Sequence, residues 1–320
     1  MKAIVYRGYG SPDVLACEEI EKPTPGDDEV LIKVRAASVN PLDRHIMRGR
    51  PSLLRLGFGL RKPKIRPGRD VAGRVEAVGR SVTQFKPGDE VFGACSGALA
   101  EYACTRESAL ATKPKNMTFE QAAAVPVAGL TALQGLRDKG KIQRGQKVLI
   151  TGAGGGVGTF AVQIAKSFGA EVTGVCSTSK IDMVRSIGAD RVIDYTQEDF
   201  TRGTQHYDLI FNLASIHSLR EYRRVLNPNG TCVIAGGSTK VRAILTSAFD
   251  VLVLSRFVSQ NFAMFVAKLR QEDLTVLREL MEAGKVTPVI DRRYRLSEVP
   301  DAIRYLEEGH ARGKIVITLE

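Results

Sequence analysis

The 320-residue sequence has no CxxC pair, and its five cysteines are scattered: Cys17, Cys95, Cys104, Cys176 and Cys232. An odd, dispersed set argues against a disulfide scaffold and against a zinc knuckle, and it fits a reducing, cytoplasmic setting. Long apolar runs are missing too. The most hydrophobic window, residues 244–265, is broken by Asp250 and Arg256, so no membrane span is expected. The first six residues, Met1 to Tyr6, read as a strand rather than a signal peptide. There is no internal repeat, no low-complexity tract, and no Ser-His-Asp or Cys-His constellation with supporting context.

What is present is a soluble-type composition, 43% hydrophobic and 25% charged, with a formal net charge of +11. That excess suits nucleic acid, an anionic membrane or an anionic ligand. It equally suits a basic surface with no partner. The length allows two domains.

One stretch organises the rest. Val148, Leu149 and Ile150 form an apolar run of strand length. Gly152, Gly154, Gly155, Gly156 and Gly158 follow, and then Phe160, Ile164 and Phe168 recur at helical spacing. Ala153-x-Gly155-x-x-Gly158 thus sits between a strand and a helix, where a dinucleotide fingerprint belongs. Without Cβ atoms the backbone of Gly155, Gly156, Val157 and Gly158 can approach a pyrophosphate, and the helix N-terminus offers free N–H groups.

Residues 171–176 read as the next strand. An NAD site places an acidic residue at its end; this chain has Cys176-Ser-Thr-Ser-Lys180. Ser177 and Ser179 can donate hydrogen bonds and Lys180 can neutralise charge, which favours NADPH. The same residues also suit an exposed helix cap. Helix at 181–187, strands at 191–194 and 207–212, helix at 218–226 and strand at 231–237 continue the alternation. Asn227-Pro-Asn-Gly230 is read as the stop between the last two. The alternation implies a parallel sheet with ligands at the carboxyl ends of its strands. Asn212, Leu213, Gly236 and Gly237 fall at such ends.

Residues 1–120 are strand-like and turn-rich, with no sustained helical pattern before about residue 118. Strands are expected at 3–6, 29–35 and 71–78. Asn40 is a candidate for bonding a nicotinamide ribose or an acceptor carbonyl. Asp43 is a candidate for fixing the same loop. The apolar-basic segment 50–66 reads as a mobile surface loop, a lid for a hydrophobic substrate, or a membrane-surface contact.

The stretch 37–49, the segments Pro67–Gly79 and Phe85–Gly93, the fingerprint, Val125–Leu133 and Gly309–Ile317 occur in order along almost the whole chain. Together they resemble the medium-chain dehydrogenase/reductase superfamily. Zinc-dependent members carry a Cys near Asn40, Gly-His-Glu where this chain has Gly68-Arg69-Asp70, and a four-cysteine lobe where it has Cys95 and Cys104. His45 alone cannot complete a zinc site. The resemblance is therefore to the zinc-free quinone oxidoreductase, zeta-crystallin-like branch.

It implies a Rossmann doubly wound parallel sheet plus a GroES-like, mainly β catalytic domain. The expected division is 1–122 catalytic, 123–265 NADPH-binding and 266–320 returning to the catalytic domain. It also implies a site in the cleft between the domains. There Ser177, Lys180 and Tyr195 grip the adenosine phosphate, Thr131 lies near the nicotinamide, and Arg312 approaches the cofactor. Phe262 belongs to a region that borders the nicotinamide and makes subunit contacts in a homodimer. The implied activity is hydride transfer from NADPH to a small hydrophobic quinone or enone. A different class stays open beside it: a non-catalytic NADPH-binding adaptor that uses its basic segment on membrane or nucleic acid.

Overall fold

Apolar alternation lays down seven strands among the described residues of the first 112. The computed structural model describes residues 1–52, 54–214, 216–235 and 259–319. Two compact units are present. The first comprises residues 1–130, 269–284 and 288–320; the second comprises 131–268 and 285–287.

In the first unit β1 (Lys2–Tyr6) and β2 (Leu15–Glu19) form a hairpin. The main sheet contains β3 (Glu29–Val39), β4 (Asp70–Val78), β5 (Glu90–Ala94), β6 (Tyr102–Arg106) and β7 (Leu110–Thr112). Two strands from the chain end, β14 (Ile290–Arg295) and β15 (Lys314–Thr318), complete it. Its order is β14-β15-β3-β4-β5-β7, with β6 pairing β3. Val30, Ile32, Val34, Val71, Val91, Ile315 and Ile317 fill one core.

The register of three strands positions the site. Ile315 pairs with Val39, and Ser38 pairs with Asp70. The ends of β3, β4 and β15 therefore meet at one place, although they lie far apart in sequence.

No sustained helical pattern is expected before about residue 118, and among the described residues the structure has two short helices there. Pro41–Arg48 is an α-helix, α1, and Leu54–Phe58 is a short one, α2. The physical reason is a capping box. Asn40 is the N-cap, Pro41 supplies the fixed φ of a first turn, and Asp43 reaches back to the Asn40 backbone. Gly49 closes α1 in the left-handed region, φ 58°. In the 50–66 segment, Leu56 and Leu60 are each 72% exposed, while Phe58 and Ile65 pack on the core.

The second unit is built on six parallel strands: β8 (Lys147–Thr151), β9 (Glu171–Cys176), β10 (Arg191–Asp194), β11 (Tyr207–Asn212), β12 (Leu226–Ile234) and β13 (Asn261–Met264). Their order is β10-β9-β8-β11-β12-β13. Numbered within the unit this is 3-2-1-4-5-6, the doubly wound dinucleotide-binding order, whose crevice opens between the first and fourth strands. Val148, Leu149 and Ile150 are fully buried, as a strand covered on both faces requires.

The expected stop at residues 227–230 is corrected. Those residues lie in β12, and the helix before it, α7, spans only Leu219–Arg224. (Helices α3 to α6 are Phe119–Ala123, Pro126–Gln134, Gly156–Ser167 and Ile181–Ser186.) The pairing of β11 with β12 jumps from Tyr207–Leu226 to Leu209–Thr231. The turn-forming residues are thus absorbed as an irregularity inside a strand. Gly236, Gly237 and most of the 241–265 region lie outside the described residues. Among the described residues no helix is long and apolar enough to cross a membrane.

Candidate active site

In the first unit a buried polar cluster forms where β3, β4 and β15 meet. Its centre is Asp70, fully buried. Asp70 Oδ2 accepts from Ser38 Oγ at 2.6 Å, Asn40 Nδ2 at 2.9 Å and Lys314 Nζ at 3.1 Å. Its Oδ1 accepts from the Val127 backbone N–H at 2.9 Å. Lys314 Nζ also donates to Asn40 Oδ1 at 2.7 Å. Lys314 and Asn40 are each 3% exposed. A buried carboxylate and ammonium are tolerable only as such a pair, with their remaining valences satisfied.

Asn40 is therefore held at both ends of its amide, by Lys314 and by Asp70. Sequence reasoning singled out Asn40 but missed Asp70 and Lys314 as its partners. No local signal marks them, because Lys314 lies 244 residues from Asp70.

Asp43 has a different role. Its Oδ2 accepts the Asn40 backbone N–H at 2.8 Å, as a capping residue does. Burial pushes its pKa up to about 6, against the pull of that N–H; Asp70 raises it further and Lys314 and Arg69 lower it. The native state thus binds the Asp43 proton more tightly than the unfolded chain does. The resulting stabilisation is complete below the ordinary carboxylate range and is lost as pH rises through about 6. A shift of this size corresponds to about 3 kcal/mol. Asp43→Asn keeps the acceptor and removes the charge. It should match the wild type near pH 3 and exceed it in stability at pH 8, as read by urea unfolding at both pH values. Equal destabilisation at both would contradict the assignment.

In the second unit the glycine turn joins β8 to α5 (Gly156–Ser167). Gly155 is the N-cap, and the first intrahelical bond runs from Thr159 N to Gly155 O, 3.0 Å. The N–H groups of Gly156, Val157 and Gly158 precede it, so they have no acceptor within the helix. A Cβ on Gly158 would lie 2.1 Å from Gly152 O and 2.7 Å from Ala153 Cα. On Gly155 the nearest atom would be Gly152 O at 3.3 Å. Gly158 thus serves close packing of the helix on the turn, while Gly155 leaves the approach to the helix end open. This cradle fits a pyrophosphate.

Lys180 reaches the same turn. A Cβ on Gly154 would lie 2.7 Å from Lys180 Cδ, so the lysine stem runs across the glycine. Ser177 caps the short turn Thr178–Lys180. Tyr195 is 48% exposed and its N–H donates to Cys176 O, 3.1 Å. Ser177, Lys180 and Tyr195 thus gather at the ends of β9 and β10.

Sequence reasoning missed one acidic group here. Asp194 pairs in register with Cys176. Its carboxylate accepts from Thr178 Oγ1 at 2.5 Å, and from Thr196 N and Oγ1 at 3.0 and 2.7 Å. The Thr178 bond, followed by those of Thr196, holds its pKa below the ordinary value. Those donors occupy the carboxylate.

At the crevice between β8 and β11, Thr151 Oγ1 donates to Asn212 Oδ1, 3.0 Å, and accepts from Leu213 N, 3.0 Å. Tyr222 Oη donates to the same Asn212 oxygen, 3.2 Å. Asn212 therefore fixes the strand end, and Leu213 follows it half-buried. Thr131 is half-buried in α4 (Pro126–Gln134). Phe262 pairs with Cys232 and packs in the core with Leu149, Ile210 and Tyr222. Arg312, in the first unit, is exposed, and its N–H donates to Asp291 at 2.9 Å. Gly236 is not among the described residues.

Burial pushes the thiols of Cys95 and Cys232 up to about 12 and those of Cys104 and Cys176 up to about 11. They are protonated and unsuited to nucleophilic work. Among the described residues no group of three or more His, Cys, Asp or Glu side chains could hold a metal ion.

Comparison with known proteins bears on this geometry. Residues 26–115 match the alcohol dehydrogenase GroES-like domain, and residues 187–317 match a family described as zinc-binding dehydrogenase. The chain is 36% identical to a chloroplastic quinone-oxidoreductase of Triphysaria versicolor, covering 99% of this chain and 98% of that one. The chain belongs to the quinone oxidoreductases of the medium-chain dehydrogenase/reductase superfamily. It is also 37% identical to an Arabidopsis thaliana chloroplastic NADPH-dependent alkenal/one oxidoreductase, over 99% of this chain and 79% of that one. The solved quinone oxidoreductase of Coxiella burnetii superimposes with a TM-score of 0.87 at 30% identity, covering 100% and 99% of the two chains. The fold is thus that of the superfamily, a GroES-like domain with a Rossmann-type sheet, and the chain is an oxidoreductase. A non-catalytic adaptor finds no support among these relatives.

Proposed function

We propose that this enzyme is a zinc-free reductase that transfers hydride from NADPH to quinones or α,β-unsaturated carbonyls. The observation that carries it is the cradle itself: an open helix N-terminus behind Gly155, with the Lys180 stem lying across Gly154. Gly155, Gly156, Val157 and Gly158 hold the pyrophosphate. Ser177, Lys180 and Tyr195 hold the 2′-phosphate, the group that distinguishes NADPH from NADH. NADPH, when bound, supplies the hydride, and the protein orients it. Water supplies the proton, so no dedicated acid is needed. The relatives' activities toward quinones and alkenals or alkenones support this acceptor class.

The buried cluster supports the zinc-free reading. Asp70 already accepts four donors, one of them an ammonium, and a metal would have to displace them. The free thiols support a reducing compartment such as the cytoplasm. A homodimer is part of the same proposal: among the described residues β13 is an edge strand, and its last residue Met264 and the nearby Val266 are 39% and 89% exposed.

A panel of quinones and enones, with NADPH oxidation followed spectroscopically, tests the acceptor class. Turnover with several members is expected; none with any would sink the proposal. Lys180→Ala should raise KM for NADPH about tenfold, the loss of one charge-assisted contact. It should leave KM for NADH unchanged. A parallel change for both cofactors would remove Lys180 from the 2′-phosphate.

A further inference from the structure

The carboxyl ends of the second unit's strands carry the cradle. The opposite edge carries a separate groove of about 780 Å³, lined by His206, Arg220, Arg223, Arg224, Pro228 and Gln260. His206 directly precedes β11, Pro228 lies near the start of β12, and Gln260 directly precedes β13. At about 3.3 Å per residue, the six residues of β11 put roughly 20 Å between the two edges. The groove is therefore not an extension of the cofactor site.

Its chemistry is one-sided. Arg220, Arg223 and Arg224 stand at i, i+3 and i+4 on α7, so they share one face. All three are exposed. Among the described residues none of the three guanidiniums has a carboxylate partner. The acids nearby in sequence are engaged elsewhere. Glu221 bonds Ser218 N and Oγ, at 2.8 and 2.7 Å. Asp208 takes the Lys147 N–H and Asn227 Nδ2, each at 2.8 Å.

Like charges at this spacing repel one another, and that cost has no compensation from within the described fold. The groove is also held in shape. Gln260 Nε2 donates to Arg223 O at 3.2 Å and to Leu226 O at 2.8 Å, tying the end of α7 to the chain entering β13. His206 Nδ1 bonds Thr204 O at 2.9 Å, which orients the ring at the groove's edge.

We propose that this groove is a second anion site, for a ligand carrying two or more phosphate groups. Three guanidinium forks match phosphate oxygens in bidentate pairs. A single carboxylate would leave two of the three charges unanswered. The size and openness of the groove suit a ligand larger than one phosphate.

The test uses the full-length protein saturated with NADPH, so that the cradle is already filled. Binding of inorganic tripolyphosphate is measured by calorimetry at 0.15 M salt, for the wild type and for the triple variant R220Q/R223Q/R224Q. A second arm measures co-sedimentation with phosphatidylcholine vesicles, with and without a phosphoinositide. The wild type should bind, the affinity should fall as salt is raised, and the triple variant should bind at least tenfold more weakly. NADPH turnover and the thermal midpoint should not change in the variant, which separates this inference from the proposed activity. Binding to tripolyphosphate marks a soluble ligand. Arginine-dependent binding to the phosphoinositide vesicles alone marks a lipid headgroup. Should the triple variant not fold, each single Arg→Gln change should weaken binding by itself. Equal affinity in wild type and variants, or no binding in either arm, would overturn the proposal.

Discussion

Lys314→Met should lower the stability of the protein by about 3–5 kcal/mol, the usual consequence of removing one partner of a buried ion pair. The ammonium is 3% exposed and serves two acceptors, Asn40 Oδ1 and Asp70 Oδ2. Methionine fills much of the volume but leaves Asp70 charged and dry, with only Ser38, Asn40 and the Val127 N–H to hold it. It also releases the oxygen of the Asn40 amide. The double variant Asp70→Asn/Lys314→Met removes both charges and should lose less than the two single variants together. Denaturant unfolding of the four proteins measures the coupling. Additive losses would mean that the pair is not the unit described here.

The second large effect concerns the glycine turn, where two glycines one helical turn apart should respond differently. Gly158→Ala places a methyl group 2.1 Å from Gly152 O, against backbone that cannot step aside. The helix must move off the turn, so both stability and NADPH affinity should fall. A loss of about a hundredfold in Kd, near 3 kcal/mol, is expected. Gly155→Ala meets only Gly152 O, at 3.3 Å. Its thermal midpoint should stay close to the wild type, while NADPH binds about tenfold or more weakly because the methyl group stands where the phosphate approaches. The two variants thus separate packing from ligand approach. If Gly155→Ala bound NADPH normally, the turn would not be the pyrophosphate cradle.

These two sites also mark how far the sequence could be read. The cradle is local. Strand, glycines and helix are consecutive, and each announces itself by periodicity or by the absence of a Cβ. The buried cluster is not local. It depends on Ile315 pairing with Val39 and on Ser38 pairing with Asp70, registers that no window of sequence contains. Asn40 and Asp43 drew attention as candidate chemistry. The first sits in the cluster, while the second bonds the Asn40 N–H as a cap. The helix they start, α1, escaped notice because it spans only eight residues. Asp194 was missed for the same reason as Lys314. It lies eighteen residues beyond Cys176 in the chain and reaches it only through parallel pairing. At Pro228 the turn signal was real but outweighed: flanking strand pairing carried β12 through it. Local chemistry was legible, and chemistry made by strand register was not.

The most direct test of a zinc-free, NADPH-specific reductase is the ratio of kcat/KM for NADPH to that for NADH. It should be measured with one quinone acceptor on protein dialysed against a chelator. The proposal predicts full activity after dialysis and a ratio well above ten, set by the 2′-phosphate contacts of Ser177, Lys180 and Tyr195. Activity that vanishes on dialysis and returns with zinc, or a ratio at or below one, would contradict it.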